Sequence, residues 1–203
     1  MSATHARTKP FLRLAAAALA TVAALGMAAC SGGAGSGSAT GAQVGERSPE
    51  QIKEAGEIVI GIFSDKAPFG YIDADGKPAG YDVVYGDRIA ADLGVTAKYV
   101  PVDAAARTEV LASNKVDITL ANFTVTPERA EKVDFANPYF KVSLGVVSPS
   151  SAEITDVGQL AGKTLIVTKG TTAEAYFETN HPEVKLQKYD QYSDAYQALE
   201  DGR

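Results

Sequence analysis

Lys115-Val-Asp-Ile-Thr-Leu-Ala-Asn-Phe-Thr-Val-Thr-Pro-Glu-Arg129 passes from a β-rich run through a polar loop into a helix start, and its reading sets the fold class. Val116 to Ala121 predicts a strand, rich in residues that suit a pleated, half-buried surface. Thr126-Pro127 predicts a helix N-terminus, with the hydroxyl as cap and proline at the first helical position, where its missing N–H removes no helical bond. Strand, loop and helix in that order form the repeating half of a βαβ unit.

The same alternation extends in both directions from Gln51 onward. Upstream, Glu57-Ile-Val-Ile-Gly-Ile-Phe63 predicts a buried strand and Asp73-Ala-Asp-Gly76 a turn. Asp82 is the expected cap of a helix whose Val83, Gly86, Ala90 and Leu93 share one face, with Gly94 as its stop. A strand near Ala97 to Val102 and a helix from about Ala105 to Ser113 complete a first α/β series. Downstream, the extended run Phe140 to Val147 leads to a second. It comprises a helix near Asp156 to Leu160, a strand Thr164 to Val167, a helix Ala173 to Thr179, a strand Val184 to Tyr189 and a helix Ser193 to Asp201. A terminal helix needs a following strand on which to bury its apolar face, and none follows, so the chain reads as α/β with its C-terminal part missing.

The first fifty residues read differently. His5, Arg7, Lys9 and Arg13 form a basic leader, and Leu14 to Ala29 is apolar, Ala-rich and uncharged, the pattern of a secretion signal. It ends in Met27-Ala-Ala-Cys30, which resembles a bacterial lipobox, with Met27 standing where Leu is usual and Cys30 as the acylated residue. The alternative is a plain signal peptide with an incidental thiol. Cys30 is the one cysteine of the chain, so no intrachain disulfide can form. Residues 31–50 begin with a Gly/Ser-rich stretch too poor in apolar surface to offset ordering entropy, and are expected to form a flexible tether. Past Cys30, 16 basic residues face 25 acidic ones, a balance of −9 that opposes nucleic-acid binding. One remaining histidine, His181, and no second cysteine leave a zinc site without ligands.

No phosphate-binding Gly loop, nucleophile elbow or metal-ligand spacing is present, and His181 before Pro182 reads as a solvated side chain. Two loops stand out instead, each following a strand, where open α/β sheets bind ligands. In the first, Asn122, Phe123 and Thr124 precede Arg129, whose cation sits against the positive end of a helix. A bound carboxylate would relieve that conflict and match the guanidinium fork. The alternative is a solvated surface arginine. In the second, Lys169-Gly-Thr-Thr172, Gly170 permits close backbone approach and the helix-start amides favour an anion. The alternative is an ordinary turn with Thr172 as cap.

Five segments together resemble one family. Phe63-Ser-Asp-Lys-Ala-Pro-Phe-Gly-Tyr71, Gly80-Tyr-Asp-Val83, Lys115 to Arg129, Val133-Asp-Phe-Ala-Asn-Pro-Tyr139 and Lys169-Gly-Thr-Thr-Ala-Glu-Ala-Tyr-Phe177 are similar to the polar amino-acid family of ABC-transporter solute-binding proteins. The nearest subgroup is the cysteine-binding lipoproteins, related to aspartate/glutamate binders. The resemblance implies a two-lobed periplasmic-binding-protein fold with a hinge, lobe 1 over residues 51–141 and an incomplete lobe 2 over 142–203. It implies a monomer, without cofactor or metal, that captures a small L-amino acid and delivers it to membrane permease subunits. The lipid on Cys30 would hold it at the outer face of the cell membrane.

Carried over by motif, Arg129 pairs with the ligand α-carboxylate, helped by Thr124 and the backbone at Gly170, Thr171 and Thr172. Asn122 accepts from the α-ammonium, Phe69 packs near the ligand, and Arg107 reads its side chain. Phe63 stands where acidic-ligand relatives place a lysine, which favours a small, less charged ligand such as cysteine over aspartate or glutamate. The family's ammonium-binding Asp lies on a strand after a segment like Ala198 to Arg203, and that strand is absent. Two other classes compete: an amino-acid dehydratase on this fold, with Asp65, Lys66 and Arg129 as candidate acid–base groups, and a sensor ectodomain.

Overall fold

The computed structural model describes residues 45–203, so the leader, Cys30 and most of the tether lie outside the described residues. The body is built around β1 (Glu57–Ile62), whose last five residues are all buried. An unbroken apolar run suits a central parallel strand covered on both faces. β1 pairs in parallel with β5 (Thr96–Pro101) from Glu57↔Thr96 to Ile62↔Pro101, and with β6 (Ile118–Thr119) at Ile60↔Ile118. β6 is shorter than the run Val116 to Ala121 predicted. Bonds from Asp117 N to Val59 O and from Leu120 N to Gly61 O, both 2.8 Å, nonetheless carry the ladder to either side of it.

Between β1 and β5 the chain makes a small antiparallel excursion, β2 (Asp65–Lys66), β3 (Gly70–Ile72) and β4 (Pro78–Ala79), closed by the expected turn at Asp73 to Gly76. Helix α2 (Tyr81–Leu93) then packs Val83, Gly86 and Ala90 inward and ends at left-handed Gly94. Asp82 is not its cap. The helix starts two residues earlier, with Gly80 at the cap position, because the amides of Tyr81 and Asp82 donate to the carbonyls of Pro68 and Phe69 at 2.9 Å, so no side chain is needed there. Asp82 instead turns inward at 1 % exposure and accepts from the Tyr139 hydroxyl at 3.1 Å.

Helix α1 (Pro49–Ala55) was not expected, although Ser48 and Gln51 form a reciprocal capping box around it and Pro49 occupies its first turn. Residues 48–50, expected in a flexible tether, are therefore part of this capped helix. Gly45 N and Arg47 Nε each donate to Asp117 Oδ1 at 3.0 Å, Arg47 Nη2 donates to Asp117 Oδ2, and Val59 N donates to the same Oδ2 at 2.7 Å. The Asp117 side chain is 2 % exposed, so this knot fastens the incoming chain to the central sheet.

α3 (Arg107–Ala112) precedes β6, and the four-residue α4 (Pro127–Ala130) follows with Thr126 as its cap. The second series contains a 3-10 turn at Val157–Leu160 capped by Asp156, then β7 (Thr164–Thr168), α5 (Thr172–Asn180), β8 (Lys185–Tyr189) and α6 (Tyr192–Glu200). β7 and β8 pair in parallel, Thr164↔Lys185 to Thr168↔Tyr189, over a small core of Leu160, Phe177 and Val184. The cap of α5 is Thr171, one residue before the expected Thr172: its Oγ1 accepts from Glu174 N at 3.2 Å.

Candidate ligand site

Three strand-to-helix loops converge where β1, β6, β7 and β8 end, which is where parallel topology exposes backbone and side chains to a ligand. They surround a cavity of about 660 Å³ lined by Lys66, Phe69, Arg107, Asn122, Thr124 and Arg129 from the first series, and by Thr171, Thr172 and Tyr192 from the second. Eight of the eleven expected site residues are thus brought together. The other three, Phe63, Phe123 and Gly170, do not line it.

Three cations dominate the site: Lys66, Arg107 and Arg129. Among the described residues, no carboxylate lies within ion-pairing distance of any of them. Burial lowers the Lys66 pKa to about 8, with the positive charge of Arg107 adding to the effect. Burial, then repulsion from Arg129, lowers Arg107 to about 10, and burial also lowers Arg129. Each cation is held by dipoles and rings instead. Phe123 serves as a platform, with the Arg107 and Arg129 guanidinium carbons 4.5 and 4.7 Å from its ring centroid.

The two arginines differ in what their donors do. Arg107, 3 % exposed, spends four hydrogen bonds on main-chain carbonyls: Ala104 at 2.8 Å, Ala121 and Asn122 at 3.0 Å, and Gly170 at 2.9 Å. A guanidinium has five N–H donors, so little remains for reading a ligand side chain, and Arg107 acts here as a bolt between segments. Arg129 is more open, giving one bond to Thr124 O at 2.8 Å and one to Gly170 O at 2.9 Å.

The second loop also departs from expectation. Gly170 has φ 71°, and a Cβ there would sit 2.4 Å from Ala105 Cα, so only glycine lets this loop press against the first series. Its amide is already taken by the chain's own anion, Glu174 Oε2, at 2.7 Å. The amides of Thr171 and Thr172 make no hydrogen bond to the described residues. Asn122, at φ 48°, is also engaged: its side-chain oxygen accepts from Lys66 Nζ at 3.3 Å and its carbonyl from Arg107.

Tyr192 escaped the sequence reading. Its hydroxyl accepts from Lys66 Nζ at 3.0 Å and its ring meets Phe63 edge-on at 5.4 Å and 79°, inserting the start of α6 into the first-series core. Beside it, Ser193 N donates to Asp65 Oδ2 at 3.1 Å and Gln191 Nε2 donates to Asp103. The signal was present, since Tyr192 follows a predicted strand and opens a helix as the other two loops do.

The sequence profile of the bacterial extracellular solute-binding proteins, family 3, matches residues 58–200. The chain belongs to this family. It is 30 % identical over 155 residues to the L-cystine-binding protein TcyJ of Escherichia coli K12, covering 75 % of this chain and 58 % of that protein. Two solved structures share more: the L-cysteine solute receptor of Neisseria gonorrhoeae (55 % identity, TM-score 0.75) and the cysteine-binding protein of Campylobacter jejuni (51 %, TM-score 0.73). They cover 77 % and 75 % of this chain, and the chain spans 65 % and 63 % of theirs. The chain thus has the periplasmic-binding-protein type II fold, with mixed helices and strands, over the part of those structures that it spans.

Proposed function

We propose that this chain is the ligand-capturing component of an amino-acid ABC importer, and that it holds a small L-amino acid, cysteine in the first instance, between lobes spanning about 51–141 and 142–203. The observation that carries this is the group of three cations lining one cavity without a carboxylate partner among the described residues. Desolvated cations of this kind are stabilised by an incoming anion, and the α-carboxylate is the anion every amino acid brings. Arg129, with its fork turned to the cavity edge beside Thr124, Thr171 and Thr172, is the residue assigned to it. The cysteine receptors at 55 % and 51 % identity support the ligand.

The chain acts without catalysis in this reading, hands its ligand to permease subunits, and works as a monomer tethered by a lipidated Cys30 at the outer face of the membrane. Aspartate or glutamate is the second reading. It is favoured by the count of charge, since three cations exceed what one α-carboxylate neutralises.

Calorimetry of the purified protein with a panel of amino acids tests the proposal, with Arg129→Ala as the control. Binding of cysteine that falls at least a hundredfold in Arg129→Ala is expected, because a buried carboxylate would lose a charged partner worth about 3 kcal/mol or more. Unchanged affinity in the variant would remove the site assignment, and tight aspartate binding with none of cysteine would select the second reading. Mass spectrometry of the mature product, showing the lipid on Cys30 or its absence, decides the anchor.

A further inference from the structure

Lys66 occupies an unusual place in the cleft. Its ammonium lies 4.2 Å from the ring centroid of Tyr192, 5.2 Å from that of Phe63 and 5.6 Å from that of Phe69. Three aromatic rings around one point form a box for a positive charge, because each presents the negative face of its quadrupole. Each ring also has packing contacts that do not involve the lysine. Phe63 is 1 % exposed in the first-series core, Tyr192 packs edge-on against it, and Phe69 packs edge-on against Phe140 at 5.5 Å. These contacts remain when the lysine side chain is replaced.

The occupant is also not a structural ion pair. Lys66 Nζ donates to Asn122 Oδ1 and to the Tyr192 hydroxyl, which leaves one of its three donors unspent. The charged groups that act on it are Asp65 and Asp82, which attract, and Arg107, which repels, and none is close enough to pair with it. Lys66 lines the same cavity as Arg129 and Thr172, so a ligand with its carboxylate at Arg129 extends its side chain into a space bordered by the box.

We propose that Lys66 determines side-chain specificity in this cleft: its ammonium fills the aromatic box that would otherwise take a cationic side chain, and so excludes arginine and lysine while admitting neutral and anionic side chains. This rests on the reading of the cleft as an amino-acid site and goes beyond it by assigning the selection to one residue and one physical cause. Two unit charges of like sign sharing one desolvated box repel strongly, and the box cannot satisfy both.

The test is a calorimetric titration of the purified protein and three variants with arginine, lysine, cysteine and aspartate. Lys66→Gln removes the charge and keeps a hydrogen-bonding side chain, Lys66→Met removes both, and Lys66→Arg keeps the charge. Near-UV circular dichroism confirms that each variant retains native packing, with Lys66→Met standing in should Lys66→Gln not fold. The expected result is that Lys66→Gln or Lys66→Met binds arginine at least about tenfold more tightly than the wild type, while Lys66→Arg continues to exclude it. A folded Lys66→Gln or Lys66→Met that still takes the wild type's neutral ligand but gains nothing for arginine overturns the proposal and leaves the amino-acid reading intact. Failure of the wild type and every variant to bind any amino acid overturns both.

Discussion

Arg129 Nη2 donates a 2.9 Å hydrogen bond to the carbonyl oxygen of Gly170, which belongs to the second α/β series while Arg129 belongs to the first. The same oxygen accepts from Arg107 Nη2 at 2.9 Å. One main-chain oxygen thus stands between two guanidinium groups that have no carboxylate partner among the described residues, and it draws the two series together at the mouth of the cavity.

The two arginines should separate in mutagenesis. Arg107→Ala removes four hydrogen bonds to main-chain carbonyls, of which those to Ala104 and Ala121 are buried, and leaving these two unsatisfied costs roughly 2–6 kcal/mol. Its main effect is expected in the thermal melt. Arg129→Ala gives up two bonds at a more open position, and its main effect is expected in ligand affinity. Melts and titrations of both variants check this, and equal losses of stability would contradict it.

Gly170→Ala should loosen the contact between the two series. The added Cβ meets Ala105 Cα at 2.4 Å and the residue is held at φ 71°, where a non-glycine residue costs of order 1–3 kcal/mol before any clash is counted. A fall in melting temperature together with weaker ligand binding is expected. Substitution of Gly76, which has open space around its Cβ position, provides the comparison for conformational strain alone.

Asp82 links stability to pH. Burial raises its pKa to about 6 against the opposing effects of the Tyr139 hydrogen bond and the Lys66 charge, and its Oδ2 has no partner among the described residues. Between the unfolded value of about 3.9 and the folded value, the native state holds a proton that the unfolded state has lost. The stabilisation from protonated Asp82 is therefore full below about pH 4 and disappears as pH rises through about 6. Asp82→Asn should flatten that part of the curve, so denaturant melts at pH 4 to 7 should show a wild-type-minus-variant difference changing by on the order of 2 kcal/mol.

Discrimination against arginine should also depend on pH. Lys66 titrates at about 8 because burial, and then Arg107, disfavour its charge. Below that pH the ammonium fills the aromatic box. Above it the amine is neutral, while the arginine guanidinium remains charged. Arginine affinity measured from pH 6.5 to 9.5 is expected to rise across about pH 8 in the wild type relative to Lys66→Gln. Parallel curves for the two proteins would count against Lys66 as the titrating group.

Local signals in the chain were sufficient for most of the elements, α1 excepted, and for the two loops that contribute Asn122, Thr124, Arg129, Thr171 and Thr172. Caps such as Thr126 with Pro127, the stop at Gly94 and the apolar run of β1 act within a few residues, so they can be read without knowing what lies across the molecule. Even there, Asp82 misled. The carbonyls of Pro68 and Phe69 supplied the cap from another segment, and the acidic side chain was free to turn inward.

The amino-acid sequence by itself determined the α/β order, the parallel pairing and the place of an arginine in the first turn after a strand-end loop, because periodicity, capping and charge are properties of neighbours along the chain. Only the tertiary structure decided which cation does what. Arg107 and Arg129 are the same residue type at similar helix starts and line one cavity, yet one spends four hydrogen bonds on carbonyls and the other two. Lys66 lies in its aromatic box because Tyr192, 126 residues away, closes it. Such assignments depend on where distant segments meet, and burial there removes the water that would otherwise let each charge act alone.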